Sequence, residues 1–412
     1  MIEQMKPSGV DYLGDIPATW TAKRFKYCAQ ICNGGEYADI EIDEGGYPVI
    51  GSGGEFARAS KFCYQGESVL LGRKGTIDKP LYVNDAFWCV DTMFYTKAKL
   101  NMVPKFLYYC ALCFRFDYYV TSTALPSMTQ KDLGSEMIAV PPTEEQKAIA
   151  NYLDAQCSKL DSIIADLEKQ IDTLQKYKKS LITETVTKGL DKSAQMKDSG
   201  IEWIGQIPEH WIVQPIKYRA DFYNGDRGEN YPSKSEMLNE GVPFINAGHL
   251  CEGGLDMESM DYISEEKYRL MGGVKLQNGD IVYCLRGSIG KNSILDIDRG
   301  TVASSLVALR SKNIVPKYLY YSINSHIEEV QRFLWDNGTA QPNLSAENLG
   351  KFKICIPSKE EQLTIVSFLD EKCALADQIL FETRKQFEKI QQHKKSLIYE
   401  YVTGKKRVTE VK

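Results

Sequence analysis

The stretch GSIGKNS at 287–293 carries the glycines and the lysine of a phosphate-cradling loop. In such a loop, backbone N–H groups and an ammonium hold the anion while a Ser or Thr hydroxyl holds the metal. The spacing fails, because the first glycine of the pattern falls on Leu285 and Asn292 stands where the hydroxyl is needed. IGSGGEF at 50–56 is glycine-rich, yet its spacing does not suit a dinucleotide loop and no helix is expected after it, so it reads as a flexible turn. Cys110 and Cys113 form one CxxC inside the aromatic run FLYYCALCFRF. With no second pair to complete a tetrahedral thiolate site, they read as core. The four histidines, His210, His249, His326 and His393, include no pair at metal-ligand spacing, and Asp370-Glu371-Lys372 reads as a solvated helix face. No Asn-Pro-Pro-Tyr type tetrapeptide, of the kind that holds an adenine for amino methylation, occurs. The residues that could do chemistry are thus predicted to do none alone.

What remains is organisation. A chain of 412 residues, 43% hydrophobic and 25% charged, is long enough for two or three domains with cores of their own. No apolar run approaches the roughly 18 residues of a membrane span, and MIEQMKPSG lacks the basic and apolar regions of a signal peptide. A cytoplasmic protein that meets no membrane is expected. Eleven cysteines, an odd number spread through apolar stretches, fit reduced core thiols. The formal net charge of -5 weighs against a simple basic nucleic-acid binder.

The chain is written twice. MKPSGVDYLGDIPATW at 5–20 returns as MKDSGIEWIGQIPEHW at 196–211, and VPKFLYY at 103–109 as VPKYLYY at 315–321. IAVPPTEEQKAIANYLD at 138–154 returns as ICIPSKEEQLTIVSFLD at 354–370, and KKSLITETVTKG at 178–189 as KKSLIYEYVTGK at 394–405. The offset is 191 at Trp20/Trp211, 195 at Pro48/Pro243, 212 at Gly75/Gly287 and 216 at Pro126/Pro342. Each copy therefore has a globular part that varies in length and a final part held in register.

The final parts are predicted to be long helices. Leu153, Leu160, Leu167, Leu174 and Leu181 recur every seven residues, with Cys157, Ile164 and Ile171 between them. The second copy keeps a weaker seam, Leu369, Ala376, Thr383, Ile390 and Leu397 in one row and Cys373, Leu380 and Phe387 in the other. Glu144-Glu145 suit the start of the first helix, and Lys176, Lys178, Lys179 and then Gly189 suit its end. Neither stripe can be buried alone. Each helix begins where one globular part ends and finishes near the start of the other, so antiparallel pairing is predicted. The globular parts show strand-rich runs followed by helices near Pro104 to Tyr118 and Pro316 to Leu334. The fold class is α+β, two repeated globular domains joined by two long helices in an antiparallel coiled coil. The boundaries are 1–140, a helix over 141–190, a second domain over 191–356, a helix over 357–404 and a tail at 405–412.

The paired openings SGxxWxGxIPxxW-like at 8–20 and 199–211, with the paired Pro-x-x-Glu-Glu-Gln starts at 141–154 and 357–370, resemble the specificity subunit of type I restriction-modification systems. The resemblance covers nearly the whole chain. It implies that the globular parts are target recognition domains reading double-stranded DNA, and that the helices dock two methyltransferase subunits. It places S-adenosylmethionine, ATP and Mg on those partners and on motor-nuclease subunits, and none of them in this chain. Phosphate contacts supply affinity and base contacts specificity, so partner subunits can furnish the basic clamp that an acidic chain lacks.

On that reading the leading DNA-binding candidates are Arg73-Lys74-Gly75-Thr76 and Leu285-Arg286-Gly287-Ser288, aligned turns after apolar strands. Arginine can bond guanine O6 and N7 together, and glycine permits close backbone approach. The other reading is a basic surface turn. Softer candidates are Asn33 with Asn224 and Arg227, Ser52 with Asn246 and His249, and the loops carrying Ser122, Thr123, Asn337 and Thr339, all of which also read as polar turns. Tyr12, Trp20, Trp203 and Trp211 read as packed anchors. Divergent globular parts predict an asymmetric, bipartite target. The rival from another class is a coiled-coil adaptor that binds proteins and no DNA.

Overall fold

The computed structural model describes residues 4–119, 126–335 and 344–408. It divides into two compact units, one of Met1–Lys169 with Arg384–Lys412 and one of Gln170–Thr383. Each unit holds one globular domain together with a share of both long helices.

The first domain is built on a seven-stranded sheet in the order Ala29–Asn33, Met93–Ala98, Tyr64–Gly72, Leu81–Cys89, Tyr47–Gly51, Gly54–Ala59 and Glu41–Ile42. Its neighbours run antiparallel except Tyr47–Gly51 beside Leu81–Cys89. Side chains alternate across a strand, and the run Val69-Leu70-Leu71 shows what that does here. Val69 and Leu71 enter a core shared with the long helices, whereas Leu70 enters a second core on the far face with Val49, Phe87 and Met93. The second domain repeats the device. Ile281 and Tyr283 face the helix-side core, and Val282 and Cys284 face the other, on a four-stranded sheet ordered Ala220–Asn224, Leu306–Ser311, Ile281–Cys284, Asn292–Ile294. A continuous apolar strand is what burial on both faces requires.

The helical segments after the strands are shorter than the sequence suggests. The stretch expected as one helix near Pro104 to Tyr118 is a helix at Pro104–Ala111 and a 3-10 turn at Phe116–Tyr119. That near Pro316 to Leu334 is two helices, Pro316–Ile323 and His326–Trp335. At the second break Asn324 turns its amide back to the Tyr320 carbonyl (2.8 Å) and Ser325 bonds the Ser322 carbonyl (2.7 Å), closing one helix before the next begins.

The long helices are Thr143–Lys188, 46 residues, and Lys359–Val402, 44 residues. Their pairing is antiparallel in each unit taken by itself. In the first, Tyr152 near the start of one lies against Tyr401 near the end of the other, ring centroids 4.6 Å apart, and Asp161 pairs with Lys394. In the second, Lys178 pairs with Asp377. Leu153, Leu167, Leu369, Leu380 and Leu397 are buried, and Leu160, Ile164, Ile171, Leu174, Leu181, Phe387 and Ile390 half-buried, so the heptad seam is where the periodicity places it.

Lys178 departs from its sequence reading as a helix-end charge. It continues the row of Cys157, Ile164 and Ile171, is buried, and holds both Asp377 and Glu252 at 2.6 Å. Burial lowers its pKa, but the bonds to Asp377 and Glu252 outweigh that and hold it above the usual lysine value. Asp161 with Lys394 and Asp377 with Lys178 occupy the same two places in the two copies, so one ion pair recurs in both halves of the seam.

The repeated motifs are also explained by bonds that repeat. Trp20 donates its indole N–H to Glu145 (3.0 Å) and Trp211 to Glu361 (3.1 Å), tying each opening to the start of the long helix in its own unit. Gln146 accepts from the Val103 amide and Gln362 from the Val315 amide, both at 2.9 Å, which satisfies the exposed start of a short helix. Tyr109 bonds Asp154 (2.6 Å) and Tyr321 bonds Asp370 (2.7 Å). Asp370, read from sequence as part of a solvated face, is therefore engaged, and Lys317 pairs with it as well. Trp20 and Trp211 are fully buried as expected of anchors, while Trp203 is 38% exposed.

Candidate nucleic-acid interface

The two leading loops share a pair of backbone bonds and a left-handed glycine. The strand Tyr64–Gly72 runs into Arg73, whose amide donates to the Thr92 carbonyl (2.9 Å) and whose carbonyl accepts from Met128 (3.0 Å). The strand Ile281–Cys284 runs into Leu285, whose amide donates to the Ser305 carbonyl (2.9 Å) and whose carbonyl accepts from Leu344 (3.1 Å). Two residues on stands a glycine in the left-handed region, Gly75 at φ +80° and Gly287 at φ +74°, where a side chain would be strained. The register thus superposes Lys74 on Arg286 and Thr76 on Ser288, and all four are exposed. Arg73 is different. It is half-buried, its guanidinium bonds the Asp91 carbonyl (3.1 Å) and lies 5.9 Å from the Phe94 ring, so it braces the turn.

Neighbouring candidates gather around these turns. In the first domain Asn33, exposed at the end of its strand, accepts from Gln130 (3.0 Å), and the Gly75 amide donates to the Pro126 carbonyl (2.9 Å). Ser52 lies on the hairpin turn between strands Tyr47–Gly51 and Gly54–Ala59, whose Ile50 carbonyl accepts from the Val90 amide (3.2 Å). In the second domain Asn224 and Arg227 are exposed, with Arg227 bonding the Ser304 carbonyl at 3.3 Å. Asn246 and His249 are drawn inward. His249 is 5% exposed, touches Asn246 at 3.2 Å and lies 3.5 Å from Asp261, and Asn246 also donates to Asp261 at 3.0 Å. That network commits His249 to the fold rather than to a base edge. Ser122, Thr123, Asn337 and Thr339 lie outside the described residues.

Glycine at 34 and 225 has a packing cause that sequence reading passed over. A Cβ on Gly34 would stand 1.9 Å from the Val90 carbonyl oxygen, and one on Gly225 2.4 Å from that of Ala303. Each glycine lets the first strand of its sheet cross the loop that leads into the next. Gly34→Ala or Gly225→Ala is expected to cost at least about 2–3 kcal/mol, since backbone must move to admit the methyl. Hydrogen exchange of the sheet that holds each glycine checks it, and a loss below about 0.5 kcal/mol at either site would contradict the close approach.

The family model described as type I restriction modification DNA specificity domain matches this chain twice, over 17–173 and 220–389. The chain belongs to that family. The two matches of this specificity chain fall one on each copy of the repeat, taking in part of a globular domain and part of the long helix that follows. Among curated relatives it is similar to the MjaVIII type I restriction enzyme specificity subunit of Methanocaldococcus jannaschii, 30% identical over 296 residues, 69% of this chain and 66% of the relative. It is also similar to the EcoBI specificity subunit of Escherichia coli, 22% identical over 403 residues, 92% of this chain and 84% of the relative. The chain spans 66% and 62% of the length of the two Methanocaldococcus jannaschii relatives it matches. A solved chain, from work on complex assembly and conformational transition of the type I R-M system, has the same fold at a TM-score of 0.65 with 14% identity, covering 94% of this chain and 98% of that one.

Among the described residues no cluster of His, Cys, Asp and Glu could hold a metal ion, and no helix is long and apolar enough to cross a membrane. The surface where the two copies of the repeat diverge is where sequence reasoning is weakest. Gln130 and Arg332 stand at or behind the turns without having been singled out, and Lys291, weighed only as a phosphate-loop lysine, bonds the Ala247 carbonyl. Only the repeat register, carried as far as Met128 and Leu344, could have brought the segment holding Gln130 to attention.

Proposed function

We propose that this chain is the sequence-reading subunit of a type I restriction-modification complex. Each globular domain reads one half of a split, asymmetric double-stranded DNA target. The paired helices and the repeated openings dock two adenine-methyltransferase subunits, and motor-nuclease subunits join them for cleavage. S-adenosylmethionine, ATP and Mg belong to those partners, and this chain, working in the cytoplasm, catalyses no step itself.

The observation that carries the proposal is one turn presented twice. Two backbone bonds and a left-handed glycine recur in both turns, and the tip changes from Lys74-Gly75-Thr76 to Arg286-Gly287-Ser288. An exposed cation beside a left-handed glycine and a small hydroxyl suits the edge of a base pair in the major groove. The repeated scaffold bonds call for the same partner at each copy, and the altered tips call for different bases. The formal charge of -5 does not oppose this, because partner subunits can neutralise phosphates while this chain supplies discrimination.

The test is single-molecule sequencing of host DNA for N6-methyladenine with and without the gene. Loss of a split, asymmetric motif on deletion is expected. A gene-dependent motif that is continuous and symmetric would overturn the two-reader arrangement. A methylome unchanged by deletion, from a chain that does not copurify with a methyltransferase, would favour a protein adaptor.

A further inference from the structure

The turn in the second domain is braced from behind by residues that the first domain does not repeat. Strand Ile281–Cys284 enters the loop and strand Asn292–Ile294 leaves it. On the entering arm Tyr283 is fully buried and donates its hydroxyl to Glu328 on helix His326–Trp335. Glu328 is 5% exposed, and burial pushes its carboxyl up while Tyr283 and Arg332 pull it back. One turn along the helix Arg332 donates to Glu328 at 3.0 Å. The same guanidinium abuts Gly290 on the leaving arm, where a Cβ would stand 2.8 Å from Nε. Gly290 sits at φ +90°, a second reason for glycine at that place.

A circuit therefore runs from one arm of the hairpin through the helix to the other arm. Within the loop, the Cys284 thiol donates to the Arg286 carbonyl (3.0 Å), and the Lys291 ammonium ties the loop to the Ala247 carbonyl outside it (2.9 Å). The helix is itself held to the first long helix in this unit. The His326 amide donates to Thr183 (2.8 Å), and Lys179 pairs with Glu329. The tip bearing Arg286 thus rests, through Tyr283, Glu328 and Arg332, on helix His326–Trp335, and that helix on the first long helix. In the first domain the aligned turn is braced instead by Arg73 on the Asp91 carbonyl.

We infer that Arg332, fixed by Glu328 and Tyr283, is a positioning residue for base reading by the second domain. It sets the place of the 285–291 loop without touching DNA itself. A buried carboxylate is a costly anchor unless its partners are fixed, and here it locks a planar guanidinium in one orientation. Bidentate reading tolerates little displacement, so loosening the loop lowers discrimination before it lowers folding. The inference rests on the proposed DNA-reading function.

Arg332→Met removes the charge and keeps much of the length, and Arg332→Lys keeps the charge but loses the fork. Two readouts are taken on the full chain. First, hydrogen exchange of amides 285–291 is expected to rise about tenfold in Arg332→Met, with little change in strands Ala220–Asn224 and Leu306–Ser311. Unchanged exchange in the loop would overturn the brace whether or not the chain reads DNA. Second, the methylated motif is mapped in cells carrying each variant beside its methyltransferase. The expected result is a motif broadened in one half-site only, the one that Arg286→Ala also broadens, with Arg332→Lys intermediate. A loss of methylation uniform over all sites with the motif intact would make Arg332 merely structural. If the unaltered protein supports no gene-dependent motif, the reading function fails, and the exchange measurement still decides the brace.

Discussion

Replacing Trp20 with alanine is expected to lower the stability of the first unit by about 3–5 kcal/mol, and Trp211→Ala to do the same to the second. Both rings are fully buried, and each lies between a repeated opening and the start of a long helix. Two losses combine. The larger is the cavity left by an indole in a close-packed core. The smaller is the bond to Glu145 or Glu361, and those carboxylates keep other partners, Arg407 in one case and His210 with the Ser358 amide in the other. Trp→Phe separates the two, since most of the volume stays and the N–H goes, and about 1–2 kcal/mol is expected. Because a chain of two units need not unfold in one step, the measurement is hydrogen exchange. In Trp20→Ala, amides of Thr21–Arg24 and Met137–Val140 should lose protection while Ile212–Pro215 and Lys353–Ile356 keep theirs, and Trp211→Ala should reverse the pattern. Equal loss in both units from either change would show that the openings do not serve their own units alone.

The repeat made these anchors legible, and its physical cause shows why. A motif that bonds another motif roughly 125 or 150 positions away cannot drift without its partner, so both recur together. The long helices were legible for a local reason, since a seven-residue period records one buried stripe. The same reasoning misplaced Lys178. A group of lysines ahead of a glycine reads as a helix end, and the carboxylates that hold Lys178 in the seam, Asp377 and Glu252, lie 199 and 74 positions away. Strand order was hidden likewise. Nothing local announces that Tyr47–Gly51 runs parallel to Leu81–Cys89. At the candidate site, bidentate chemistry drew attention to Arg73, but the amide and carbonyl of residue 73 are what the backbone register matches to Leu285. That register hands the exposed position to Lys74. His249 looked like a polar loop residue because its partner Asp261 is on a separate strand.

Arg286→Ala, assayed in cells with the partner methyltransferase, is expected to relax recognition about 5- to 150-fold at one position of one half-site, the worth of roughly 1–3 kcal/mol of base discrimination. Lys74→Ala is expected to act on the other half-site alone. The independence follows from the architecture, because each residue stands on a turn whose bonds lie within its own unit. Arg73→Ala should behave differently from both, unseating the turn and lowering stability, since its guanidinium is spent on the Asp91 carbonyl. Salt dependence distinguishes a base contact from a phosphate contact. A residue on a phosphate weakens binding on every sequence alike and reduces the slope of log K against log salt by about 1, while a residue on a base leaves that slope and changes the motif. Broadening of both half-sites by Arg286→Ala would contradict the assignment of one reader to each domain. Broadening of one, with the slope unchanged, would make the second copy of the turn a base reader, of guanine if the position relaxed is a G·C pair, and leave Lys74 to the other half-site as a point charge rather than a fork.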